Sequence, residues 1–303
     1  MKQVIGYIKD YWNYIPKQVL FTSSCFTALF IFLNYYYRID HHINQTHSFV
    51  TEFGWRWLQY AMAAGIPWLL FGLFRKKNYW QDKTFTILFL AAPALFSLKL
   101  ALDIPISMSS NPNWNNYWSH VLYWPVLSLI ISLLILGIRK TLQPEEPLYG
   151  FKTKGINWRP YLIMLMIMLP LVALASAQPD FLAVYPKLKA IASVYNEPGI
   201  TTGHKILFEL SYGSDFFTIE FFFRGFMVLA FLKYGGKDAI LPMAFFYCTI
   251  HFGKPLGECI SSYFGGMILG IIVAETRSIW GGLLIHLGIA WLMEAGGYIG
   301  NSL

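Results

Sequence analysis

Long apolar runs recur along the whole chain, and no other feature of the sequence restricts its fold as strongly. A helix that crosses a bilayer needs roughly 20 mostly apolar residues. The sequence offers candidates at 18–37, 55–74, 84–102, 117–138, 161–177, 207–232, 239–251, 258–275 and 279–299. The expected fold class is therefore all-α, a polytopic membrane helical bundle of eight or nine transmembrane helices. The run at 239–251 is short and reads as a broken or partly buried helix. Pro93, Pro125, Pro170 and Pro242 fall inside candidate spans, where neighbouring helices can satisfy the freed carbonyls.

Composition agrees with this reading. The 303 residues are 56% hydrophobic and 13% charged, far from the balance of a soluble or disordered chain. Eleven Trp and 19 Tyr suit a chain that meets two membrane interfaces many times. The net charge of +7 comes from Lys and Arg placed mostly in short loops, so membrane topology accounts for it and no nucleic-acid partner is called for. Cys25, Cys248 and Cys259 form no CxxC pair and read as small core residues. The segment MKQVIGYIKDYWNYIPKQ has no continuous apolar region of the secretory type, so it is expected to stay in the mature protein.

Loop charge alternates along the chain. Lys2, Lys9 and Lys17 precede the first span; Arg75, Lys76, Lys77 and Lys83 follow the second; Arg139, Lys140, Lys152, Lys154 and Arg159 follow the fourth. The loops at 38–54 and 103–116 contain only one Lys or Arg between them, Arg38. The positive-inside rule then predicts a cytoplasmic N-terminus. Loop 178–204, with Pro179, Pro186 and Pro198, is the longest break on the outer side. It divides the chain into residues 1–204, with about five spans, and residues 205–303, a core of about four.

Ionisable groups are costly in lipid, so each one inside a span must face a partner or a wet cavity. They gather in the last third: Asp215, Glu220 and Arg224, then His251, then Glu258, then His286 and Glu294. Glu220 and Arg224 stand four apart, the spacing that brings a carboxylate against a guanidinium, and read as a structural ion pair. Glu258 heads a stripe of Ser262, Gly266, Gly270 and Ala274 at four-residue spacing. Such a stripe lets another helix approach closely, which turns Glu258 toward protein. Imidazole and carboxylate groups in a sheltered pocket can activate water as a general base or bind a metal that does so. No HExxH, GxSxG, P-loop, GxGxxG or EF-hand pattern occurs.

Three short stretches carry a family resemblance. They are Ile219-Glu220-Phe221-Phe222-Phe223-Arg224-Gly225, Tyr247-Cys248-Thr249-Ile250-His251 and His286-Leu287-Gly288-Ile289-Ala290. In order and helical placement they resemble the EExxxR, FxxxH and HxxxN motifs of the CAAX prenyl endopeptidase and bacteriocin-processing (CPBP, or Abi) family of intramembrane proteases, over about residues 205–303. The chain is identified as a divergent member, with Ile219 where the first motif has its first Glu and Ala290 where the third has its Asn. The resemblance implies hydrolysis of peptide bonds in membrane-associated proteins or peptides, with water activated by Glu220 and His251 and with His286 as oxyanion donor or metal ligand. Arg224 would brace Glu220. Asp215, one turn before Ile219, and Glu294, one turn after Ala290, are possible compensating acids. As water-activating carboxylate, Glu220 with His251 ranks first, Glu258 second and Asp215 third. His251, His286 and a carboxylate could complete a zinc site, and metal-free chemistry fits equally well. The resemblance, with no organelle signal, places the protein in a bacterial plasma membrane among its lipids. The alternative reading is an inactive relative that serves as scaffold, immunity or partner-binding protein. A proton-coupled carrier is a third, though no inverted repeat supports it. The expense of burying Glu220, Arg224, His251 and His286 in lipid favours the enzyme.

Overall fold

The structure is a computed structural model and describes residues 1–46, 48–104 and 106–302. Helix makes up 80% of the chain, and no strand occurs among the described residues. The helices are α1 (Lys2–Tyr14), α2 (Lys17–Tyr37), α3 (Ile39–Asn44), α4 (Phe49–Arg75), α5 (Lys83–Ala101), α6 (Pro112–Leu142), α7 (Arg159–Ala175), α8 (Pro179–Val184), α9 (Thr202–Glu220), α10 (Leu232–Gly235), α11 (Ile240–Thr249), α12 (Leu256–Thr276) and α13 (Trp280–Gly300). A π-helix, Phe221–Leu229, follows α9 directly.

Among the described residues six helices, α2, α4, α5, α6, α12 and α13, are long and apolar enough to cross a membrane. This is an integral membrane protein. Three expected runs take other forms. Helix α7 is apolar but has only 17 residues. The 207–232 run is divided between α9, which carries Lys205, Glu209, Asp215 and Glu220, and the π-helix. The 239–251 run becomes the 10-residue α11, every residue of which is buried, so it is a core helix.

Local chemistry sets several helix ends. The Asp82 carboxylate accepts the Phe85 N–H at 3.0 Å and caps α5. Helices α2, α4 and α12 end on Arg38, Lys76 and Arg277, each left-handed at φ of 52°, 52° and 58°. A non-glycine residue is strained there, and a cation at the negative end of the helix dipole offsets part of that cost.

The chain forms two compact units. The first comprises residues 1–102, 134–156 and 221–279. Its core is aromatic: Phe96 lies 5.1 Å from both Phe222 and Phe223, and Trp68 meets Phe85 edge-on at 5.1 Å. The small residues of α12 pack on α11 as their spacing predicts. A Cβ on Gly266 would come 2.8 Å from the Tyr247 ring, and one on Gly270 would come 2.5 Å from Met243. Asp238, 1% exposed, receives Arg75 at 2.7 Å and the Tyr79 hydroxyl at 2.8 Å.

The second unit comprises residues 103–133, 157–220 and 280–303. Its core joins Tyr117, Val121, Phe208 and Tyr212 to Ile191 and Val194 of the 187–196 segment. Helix α13 packs on α7 and α9 through its glycines, Gly281 against Tyr161 and Gly288 against Leu165. Gly213 of α9 lies against Leu287 and Trp291. These close approaches bring Glu220, at the end of α9, against the first turns of α13.

Candidate functional site

In the second unit, Glu220 is the last residue of α9 and is fully buried. Its Oε1 lies 3.1 Å from His286 Nδ1. A carboxylate accepts and cannot donate, so the imidazole Nδ1–H is the donor and the lone pair of the neutral ring sits on Nε2. A hydrogen bond to a charged partner contributes about 1.5–3 kcal/mol, and Glu220 is removed from competing solvent. The His286 side chain retains 15% exposure, and the Phe216 ring packs edge-on against it at 4.7 Å. The pair has the logic of a base oriented by a third group: the acid fixes the tautomer and stabilises the imidazolium that proton uptake creates.

Gly282 makes this approach feasible. It lies one turn before His286, and a Cβ there would collide with Glu220 Oε2. Composition and motif spacing do not reveal that requirement; the Gly281-Gly282 doublet at the head of an apolar helix is its only trace in the sequence.

In the first unit, Arg224 is fully buried in the π-helix, with its guanidinium 4.3 Å above the Tyr247 ring. The same ring meets His251 edge-on at 4.7 Å. His251 Nδ1 donates to the Tyr247 carbonyl, one turn earlier, at 2.9 Å. This bond again leaves the neutral ring with its lone pair on Nε2. Tyr247 thus touches both motif residues of this unit through one ring, a role the sequence does not disclose.

The remaining candidates occupy other settings. One carboxylate oxygen of Glu258 pairs with Lys254 Nζ at 2.7 Å, four residues away on the turn that follows His251. Asp215 is half-buried on α9. Glu294 accepts the backbone N–H groups of Lys187 at 2.8 Å and Leu188 at 3.4 Å, so it ties the start of the 187–196 segment to α13. Beside it lies a cavity of about 610 Å³ that includes Glu209 and Trp291. Ile219 and Ala290, at the two divergent motif positions, are both buried, and Ala290 belongs to the apolar core of its unit.

A catalytic zinc takes three protein ligands and one open position. Among the described residues no three His, Cys, Asp or Glu side chains gather closely enough to hold a metal ion.

Residues 213–292 match the family described as type II CAAX prenyl endopeptidase Rce1-like. The matched region contains Glu220, Arg224, His251, Glu258 and His286. No curated protein and no solved structure matches the chain.

Proposed function

From the family match over residues 213–292 as premise, we propose that the protein is an intramembrane endopeptidase that hydrolyses peptide bonds of membrane-associated proteins or peptides. The observation that carries the reading is the 3.1 Å bond between buried Glu220 and His286 Nδ1. A fully buried carboxylate is expensive in a bundle surrounded by lipid, and its placement on an imidazole with an available tautomer has a direct chemical use.

In the proposed reaction Nε2 of His286 takes a proton from water as the water oxygen attacks the scissile carbonyl carbon. Glu220 holds Nδ1–H and stabilises the resulting imidazolium. The imidazolium then gives its proton to the departing amine, which leaves the new carboxylic acid and a regenerated base. This assigns to the Glu220–His286 pair the role the sequence assigns first to Glu220 with His251. His251 enters as the second imidazole of the reaction on the strength of its motif, with Arg224 as the cation that braces its neighbour Tyr247. The prenylated or unmodified state of the substrate is part of the assay rather than of the premise.

The reading also carries a cytoplasmic N-terminus, from loop charge, and a bacterial plasma-membrane location. It takes residues 205–303 as the catalytic segment, with α7, α9 with its π-helix, and α11 completing a count of eight or nine membrane-embedded segments.

The test is cleavage of a library of membrane-anchored peptides, prenylated and unprenylated, by purified protein in lipid vesicles. Wild type should cut, and His286→Ala and His251→Ala should each lose most of the activity. Undiminished cleavage by His286→Ala would refute the assignment of the base. No cleavage of any peptide by wild type would refute the enzyme.

A further inference from the structure

The turn that carries His251 is held by helices near the N-terminus, far outside the matched region. Residues 250–255 link α11 to α12. Within the link Gly253 has φ +83°, a conformation that side chains disfavour. A Cβ there would also lie 2.7 Å from Asp40 Oδ2, so the backbone approaches a carboxylate as closely as a glycine permits. The next residue is gripped as well: the Tyr35 hydroxyl donates to the Lys254 carbonyl at 2.5 Å.

Asp40 is itself fixed from several sides. Its backbone N–H donates to Asn34 Oδ1 at 2.9 Å, Asn44 Nδ2 donates to its Oδ2 at 3.0 Å, and Arg56 Nη1 lies 3.3 Å from its Oδ1. Arg56, 6% exposed, also binds Glu52 at 2.8 Å and Asn44. Burial of a guanidinium with two carboxylates is costly unless every group is engaged. Here the network ends on the turn beside His251. The bond from His251 Nδ1 to Tyr247 lies within one helical turn and fixes the tautomer. It does not fix where the end of α11 points, and the contacts from Tyr35 and Asp40 supply that restraint.

We propose that Tyr35 and Asp40, braced by Arg56, are positioning residues that hold the His251 turn, and with it the His251 imidazole, for peptide hydrolysis. The inference rests on the reading of His251 as a participant in that reaction.

The test uses the full chain in detergent micelles and diethyl pyrocarbonate as a histidine probe, with modification of His251, His120 and His204 followed separately by mass spectrometry. Loss of its one anchoring hydrogen bond should speed modification of His251 about fivefold in Tyr35→Phe, and loss of the carboxylate packed against Gly253 should speed it in Asp40→Ala. His120 and His204 should keep their wild-type rates, and Asp40→Asn, which keeps the shape of the side chain against Gly253, should recover most of the protection. In a peptide assay the same variants should lose kcat with little change in KM. An unchanged His251 rate would overturn the proposal, and so would an equal rise at all three histidines, which reports general loosening. The labelling does not depend on turnover. A responsive His251 in a protein that cleaves nothing refutes the peptidase and leaves the positioning intact, whereas cleavage with an unresponsive His251 does the reverse.

Discussion

Gly282→Ala perturbs the Glu220–His286 pair while leaving both residues in place. Gly282 is buried, and its Cβ would collide with Glu220 Oε2 and lie 3.3 Å from the carboxyl carbon. That carboxylate has little freedom to move, since its other oxygen is bonded to His286 on the same helix. Either α13 lifts away from the end of α9 or Glu220 rotates, and both lengthen the bond. Overpacking of this kind costs about 1–3 kcal/mol, against about 1 kcal/mol gained when a helical glycine becomes alanine. Gly265 provides the comparison, because a Cβ there would meet nothing within 4 Å. Unfolding of both variants in one detergent should therefore place Gly282→Ala about 1–3 kcal/mol below Gly265→Ala. In a peptide assay Gly282→Ala should also lose activity that Gly265→Ala keeps. If Gly282→Ala is as stable as Gly265→Ala and equally active, α9 and α13 do not approach so closely.

Glu220→Gln keeps the shape of the acid and removes its charge; cleavage is expected to fall by about 10²–10⁴, the scale seen when the group that orients a catalytic histidine loses its charge. Asp238→Ala strips the partner from Arg75 and from the Tyr79 hydroxyl. The Arg75 side chain is 29% exposed and water replaces part of the loss, so a cost of about 2–3 kcal/mol is expected in thermal unfolding, largely recovered in Arg75→Met/Asp238→Leu. The reaction proposed for the Glu220–His286 pair needs no metal, and no three donor side chains gather among the described residues, so cleavage should survive 1,10-phenanthroline; loss of activity that zinc restores would contradict that reaction.

Much of the fold is legible because lipid leaves few options for a backbone. The runs at 18–37 and 258–275 appear as α2 and α12 with shifts of at most two residues at their ends. The stripe of Gly266 and Gly270 fits α11 because small residues at four-residue spacing have one physical use, close helix contact. The π-helix at Phe221–Leu229 is not legible, since nothing in the run FFFRGFMVL marks a wider turn than an α-helix would take. The Glu220–His286 bond joins residues 66 apart in sequence, so helical spacing does not predict it. The same holds for Glu294. Its place one turn after Ala290 is read from the helix, but the backbone amides of Lys187 and Leu188 that it accepts come from a separate segment that helical spacing does not bring in.

A double-mutant cycle on peptide cleavage tests the central claim most directly. Glu220→Gln, His286→Ala and the combined variant would be measured on one membrane-anchored peptide in vesicles. If the acid and the imidazole act as a unit, the combined variant should be no slower than His286→Ala alone, because an orienting carboxylate has nothing left to orient. Losses that multiply in the combined variant would mean that the two side chains act independently, and the assignment of His286 as the base held by Glu220 would be wrong.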